Sequence, residues 1–292
     1  MIDFKKPELS DSDWVRDCFL RSRTTDCAYC FGNLIMWSDI YKIEIARIGS
    51  FFVSRSMQED GSFVFCFPRG DGDVQGVISK IEEEYGDVGF FGLNENDKRI
   101  LEEFRKEKYI ITADRDSSDY YYKVSDLSSL SGKKYHQKRN HISFFEKTYN
   151  WSYERIDKSN IPECLEMNEK WIEKNADKAM SGTGREETAI ATAFENYEQL
   201  GFVGGLLRID GKVCAYTFGE KMNDTTFCTH VEKAFSDVRG AYPMINREFA
   251  RRELSEYKFV NREEDLGIEG LRKAKLSYYP CCLGSFYVAE KR

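Results

Sequence analysis

The hydrophobic period of this chain changes twice in the same order, and that order limits the folds open to it. A helix start at Ser10 to Asp13, ahead of Trp14, leads into a helix that ends near Arg21, and an aromatic-rich helical stretch covers Phe31 to Tyr41. Three short segments of alternating residues follow at 42–47, 50–55 and 62–67, with turns at Gly49-Ser50 and at Glu59-Asp60-Gly61. After a loop from Pro68 to Asp73, Val77, Ile78, Ile81 and Tyr85 mark a helix; 87–93 reads as a strand, 95–106 as a helix and 108–113 as a strand. The second half repeats this. A helix opens at Ile161-Pro162, and a second carries Ile190, Phe194, Tyr197 and Leu200 on one face. Strands at 202–209, 212–220 and 225–232 follow, the first two joined by the hairpin turn Asp210-Gly211. Helix 242–254, strand 257–261, helix 270–278 and strand 283–289 complete it.

In each half the strand after the meander is reached through a helix, which predicts a parallel pair with a right-handed crossover. The expected fold is therefore α/β (α+β): two mixed sheets in tandem with helices on both faces. The expected boundaries are an N-terminal domain at 1–128, a basic helical connector at 129–150 and a C-terminal domain at 151–292. In the connector, Ile142, Phe145 and Tyr149 form one apolar helical stripe.

Of the 292 residues 41% are hydrophobic and 32% charged, enough for a core and a soluble surface. No apolar run approaches the ~18 residues of a membrane span, and the N-terminus lacks the apolar run of a secretion signal; a cytoplasmic protein is expected. With a net charge of -7, nucleic-acid binding requires a local patch. The connector offers one in Lys133, Lys134, Lys138 and Arg139, with Tyr135 as a stacking neighbour, and phosphates of tRNA are a partner for it. The nine cysteines are scattered and odd in number, and Cys27 and Cys30 form a C-x-x-C with no second pair. Reduced thiols and no metal site are expected.

The densest charge follows strand 257–261. Glu263, Glu264 and Asp265 stand together, and Arg272, Lys273 and Lys275 follow on the next helix. A strand that runs into a charged loop is where α/β proteins tend to carry chemistry. If extended geometry continues through Asp265, Glu263 and Asp265 share one face, where a carboxylate orients and deprotonates an attacking amine. Glu264 then makes a structural ion pair, and Arg272 and Lys275 hold a carboxylate or a substrate phosphate. The opposite reading is a plain ion network. His230, on the third meander strand with Cys228 and Glu232 on its face by period two, is either a proton acceptor or a hydrogen-bonded core histidine.

The element order resembles the acetyltransferase-type (GNAT-type) fold. Two stretches carry a closer resemblance: Ser131-Gly-Lys-Lys-Tyr-His-Gln-Lys-Arg-Asn140, and Asn261-Arg-Glu-Glu-Asp-Leu-Gly267 followed by Gly270-Leu-Arg-Lys-Ala-Lys-Leu-Ser-Tyr-Tyr-Pro280. In these the chain is similar to soluble bacterial relatives of the C-terminal catalytic domain of phosphatidylglycerol lysyltransferase. The resemblance implies transfer of an acyl or aminoacyl group, from aminoacyl-tRNA or acyl-CoA, to an amine or hydroxyl of a small-molecule or peptide acceptor. Without a membrane domain, a lipid acceptor is not implied. Acetyltransferases hold the carrier's pyrophosphate between the third meander strand and the next helix, and here Arg239, Gly240, Ala241 and Tyr242 occupy that place. A second glycine of that pattern is missing. Tyr278 and Tyr279 stand where acetyltransferases place a tyrosine that protonates the leaving group; the match is positional, and Tyr279 is the candidate. A non-catalytic module of the same fold that reads tRNA or a small ligand is the alternative.

Overall fold

The computed structural model describes residues 1–58, 61–86, 88–175 and 183–292; Glu59 and Asp60 of the expected turn, and Asp87 at an expected strand start, lie outside them. In chain order the elements are α1 (Ser12–Ser22), α2 (Phe31–Tyr41), β1 (Ile43–Ile48), β2 (Phe51–Met57), β3 (Phe63–Cys66), α3 (Val74–Tyr85), β4 (Gly89–Leu93), α4 (Glu95–Phe104) and β5 (Tyr109–Ala113). Then come β6 (Tyr120–Lys123), α5 (Val124–Ser129), α6 (His136–Thr148), β7 (Trp151–Arg155), α7 (Ile161–Asn175), α8 (Thr183–Glu195), β8 (Val203–Ile209), β9 (Lys212–Lys221) and β10 (Thr226–Ala234). Last are α9 (Ala241–Arg252), β11 (Phe259–Asn261), α10 (Glu269–Leu276), β12 (Cys282–Leu283) and β13 (Tyr287–Lys291).

Two compact units result, and neither is a continuous piece of chain. The first is Met1–Tyr120 with Glu263–Lys273 and Cys282–Arg292; the second is Tyr121–Arg262 with Ala274–Cys281. The units do not follow the expected boundaries at 128 and 150, because segments near the C-terminus join the first unit. The physical reason is strand pairing: β13, the last strand, pairs antiparallel with both β4 and β5 and fills the place between them.

The sheet of the first unit runs β1-β2-β3-β4-β13-β5. β1, β2 and β3 form the expected antiparallel meander. β4 pairs parallel to β3 after the crossover through α3. Phe65 and Phe90 share one buried core cluster with Leu93 at the end of β4, Ile78 and Ile81 of α3 and Leu101 of α4. Asn94 caps α4 by accepting from the amides of Asn96 and Asp97.

In the second unit the strands run β6-β11-β10-β9-β8-β7. β8, β9 and β10 are antiparallel, and β11 is parallel to β10 after α9. β6 and β7, which local period did not predict, flank this set, each antiparallel to its neighbour. Leu206, Tyr216, Phe218, Phe194, Met244 and Ile245 are all buried. Both units are thus mixed sheets with an antiparallel start and a helix-linked parallel pair, the fold class expected from the element order.

Candidate functional site

β11 ends at Asn261, and the backbone does not stay extended beyond it. Glu263, Leu266 and Gly267 have φ of 57°, 53° and 71°. These left-handed residues break the period of two, so the three carboxylates are sorted differently from the expectation. Glu263 accepts a 2.7 Å hydrogen bond from Asn33 Nδ2, and Glu264 accepts one of 3.2 Å from the Cys27 thiol. The ion pair with Arg272 of α10 is made by Asp265. Its side chain is 0% exposed, and it receives Arg272 Nε at 2.8 Å and Nη2 at 2.7 Å. Tyr120 Oη at 2.5 Å, the Gly267 amide at 2.9 Å and Arg115 Nη1 at 3.3 Å complete its shell. Arg272 above all, opposed by burial and helped by Tyr120 and the Gly267 amide, holds the Asp265 carboxyl well below the usual carboxylate range. A carboxylate so filled and so acidic is poorly suited to accept a proton near neutrality. Its geometry is that of an anchor tying the loop after β11 to α10.

In the second unit β10 and β11 pair only from Thr226 to Cys228 and from Phe259 to Asn261. β10 continues to Ala234 against β9 while β11 stops. The two parallel strands therefore part at their carboxyl ends, the place where open α/β sheets bind ligands. A cluster that the sequence reading did not assemble fills this opening. Arg262 Nη2 lies 2.8 Å from Glu232 Oε1, and Asn246 Nδ2 on α9 donates to Glu232 Oε2 at 2.9 Å. The guanidinium carbon is 4.9 Å from the ring centroid of Tyr278 and 5.4 Å from that of Tyr122. Burial works to lower the pKa of Arg262, and Glu232, Tyr122 and Tyr278 together more than offset it. Two buried atoms of this cluster, Arg262 Nη1 and Asn246 Oδ1, have no hydrogen-bond partner among the described residues.

The four connector cations have separate situations. Lys133 is exposed, and Lys134 Nζ lies 3.9 Å from Asp126 and 5.3 Å from the Tyr279 ring. Arg139 donates to the carbonyls of Leu130 and Gly132, closing the turn before α6. Lys138 instead sits with Nζ 3.8 Å over the Tyr278 ring. Burial and the nearby Arg262 push its pKa down to about 8, with Glu232 pulling the other way. The sequence held a signal for this. Lys138 stands at i, i+4, i+7 with Ile142 and Phe145, so it belongs to the buried stripe of α6.

Lys275 Nζ donates to the Arg262 carbonyl at 2.5 Å, so one of its partners is a backbone atom beside this cluster. Arg272 belongs to Asp265 instead. Tyr278 is buried, whereas Tyr279 is 47% exposed with its ring edge on Tyr135. His230 is buried with Nε2 3.1 Å from Glu220 Oε1. The register shift between Thr229 and Val231 interrupts the alternation that was expected to set His230 and Glu232 on one face.

At the start of α9, Arg239 lies 4.3 Å over the Phe144 ring, and Gly240 has φ of 93°. A Cβ on Gly240 would stand 2.4 Å from the His141 carbonyl oxygen, so this glycine lets α6 and α9 approach. Gly240→Ala should cost about 3 kcal/mol from strain and overpacking, read as a drop in the unfolding midpoint; unchanged stability would remove that role. The Ala241 amide bonds Val238 O, the Met244 amide bonds Gly240 O, and Pro243 has no N–H. The helix start leaves the Gly240 and Tyr242 amides for a pyrophosphate, fewer donors than an anion site there ordinarily offers.

No helix among the described residues is long and apolar enough to cross a membrane. The chain is 40% identical to a conserved protein of unknown function from Bacteroides thetaiotaomicron, whose crystal structure matches with a TM-score of 0.95 over 100% of both chains. The structure of L-PGS from Bacillus licheniformis shares the fold at 16% identity and a TM-score of 0.58, over 83% of this chain and 81% of that one. An uncharacterized protein of Mycoplasmoides gallisepticum is 26% identical over 189 residues, 61% of this chain; the match spans 58% of that protein's length. The profile of the phosphatidylglycerol lysyltransferase C-terminal family matches residues 20–290, and the chain belongs to that family.

Proposed function

We propose that the chain transfers an acyl or aminoacyl group to an amine or hydroxyl acceptor, with the chemistry at the parting of β10 and β11 in the second unit. The observation that carries this reading is the cluster of Glu232, Asn246 and Arg262 in that opening, with two buried polar atoms left for a ligand. A buried polar group without a partner is costly, and binding sites are where that cost is kept. Family membership and the shared fold support aminoacyl transfer in general. The few free amides at the start of α9 favour aminoacyl-tRNA over acyl-CoA as donor. Rate enhancement would come chiefly from holding donor and acceptor in register.

The experiment supplies tRNA charged with labelled amino acids, or labelled acyl-CoA, with a panel of amines and alcohols, and follows label in product. Arg262-dependent product from the charged tRNA is expected. With Lys133 and Lys134 both changed to Ala, tRNA should bind more weakly and with a flatter salt dependence, because fewer counterions are released. Tight tRNA binding with no loss of ester under any acceptor would leave a binding module and overturn the transferase reading.

A further inference from the structure

The charges around the parting of β10 and β11 do not balance. From α6 comes Lys138 and from the end of β11 Arg262, while the Lys275 ammonium of α10 is already engaged, with the Arg262 carbonyl among its partners. Among the described residues the carboxylate facing Lys138 and Arg262 is Glu232 on β10, already shared between Arg262 and Asn246. From α9 the neighbour Asn246 is neutral, and Arg247 is held by Glu146 and Glu248. The Tyr278 and Tyr122 rings supply π faces and no charge. Lys138 makes no ion pair among the described residues and rests on an aromatic face. Excess positive charge that is half out of water, next to an N–H without an acceptor, is a complement waiting for an anion.

We propose that Arg262, Lys138 and Asn246 form a pocket for a phosphate group of the substrate. Arg262 Nη1 and Lys138 Nζ would donate to phosphate oxygens. Asn246 Oδ1, the buried acceptor, would accept a hydrogen bond from the O–H of a terminal phosphate that keeps one proton, which a phosphodiester lacks. That third element selects phosphate over sulfate or a carboxylate, which carry no O–H near neutral pH. Because the Lys138 pKa is lowered to about 8, its cation is lost as pH rises through that value, and a bound anion would raise it again. The Lys138 contribution to binding should therefore be full at pH 7 and absent at pH 10.

This site lies where transfer is proposed, but its test uses no turnover. Inorganic phosphate is titrated into the full chain by calorimetry, with sulfate and acetate as comparators, and thermal unfolding is followed in parallel. Phosphate should bind best, and Lys138→Met should weaken it about tenfold at pH 7, the scale of one charge-assisted hydrogen bond. Arg262→Lys, which keeps the charge but loses the fork, should weaken it by at least as much. The ratio of native to Lys138→Met affinity should shrink toward one between pH 7 and 10; taking the ratio cancels the ionisation of phosphate itself. Equal, weak binding of all three anions, unaffected by Lys138→Met, would overturn the pocket. Phosphate binding without any transfer would leave this inference standing and remove the transferase reading.

Discussion

Asp265→Asn should lower the stability of the first unit by about 3 kcal/mol, the scale of leaving the partners of a buried ion pair unmatched. Asparagine has nearly the same shape, so the loss measures charge and hydrogen bonding rather than volume. Arg272, Tyr120, Arg115 and the Gly267 amide all donate to this one carboxylate. An amide turns one acceptor into a donor and faces it with others. The pH dependence gives the sign independently. The folded Asp265 pKa lies well below its unfolded value near 3.8. Its contribution is thus fully present above about pH 4 and is lost as pH falls through the folded pKa. The native chain should therefore lose stability below pH 4 more steeply than Asp265→Asn, in thermal melts across that range. Turnover per folded molecule should stay within a few-fold, as befits an anchor. A loss of roughly 10²-fold at native stability would restore the general-base role, and native stability with an unchanged acid decline would remove the anchor.

The anchor shows where sequence reading reached its limit. Local period placed α2 at Phe31–Tyr41 without error, located both meanders, and predicted both parallel pairs from the helices between their strands. It failed where geometry is set by long-range partners. β13 has an ordinary strand pattern, and nothing within it says that its neighbours are β4 and β5. Tyr120–Lys123 and Trp151–Arg155 are short, and their strand character comes from the ladders they join. Glu263 is a non-glycine residue in the left-handed region, which no periodicity rule anticipates, and that single torsion reassigns the three carboxylates. Arg262 and Asn246 stood in plain view, but 16 positions of helix and loop separate them, and Glu232 joins them only once α9 has packed on β10. Lys138 was the legible exception, a cation on the apolar stripe of its helix.

Glu232→Ala should cut transfer by roughly 10²-fold or more, the usual scale when a group that fixes reacting partners is lost. Glu232 is a positioning residue in this proposal. It fixes Arg262 Nη2 at 2.8 Å and Asn246 Nδ2 at 2.9 Å, and so holds in place the two buried atoms without a partner among the described residues, Nη1 and Oδ1. Without it a mostly buried guanidinium keeps its charge among Tyr122, Tyr278 and Lys138 with no carboxylate beside it, and some stability should go as well. A readout at a third residue separates the roles. Glu232 is the neighbour that supports the Lys138 cation, while burial and Arg262 oppose it. Removing Glu232 must therefore lower the Lys138 pKa below about 8, visible in the pH dependence of labelling by an amine-selective reagent. Glu232→Gln should give the same shift, since it too removes the charge, while it keeps more of the packing. A scaffold role alone predicts transfer falling only with the folded fraction. Loss of transfer in folded protein, together with a lowered Lys138 pKa in both variants, is what the cluster requires; a Lys138 pKa unmoved by either substitution would mean that these charges are not coupled and would remove Glu232 from the site.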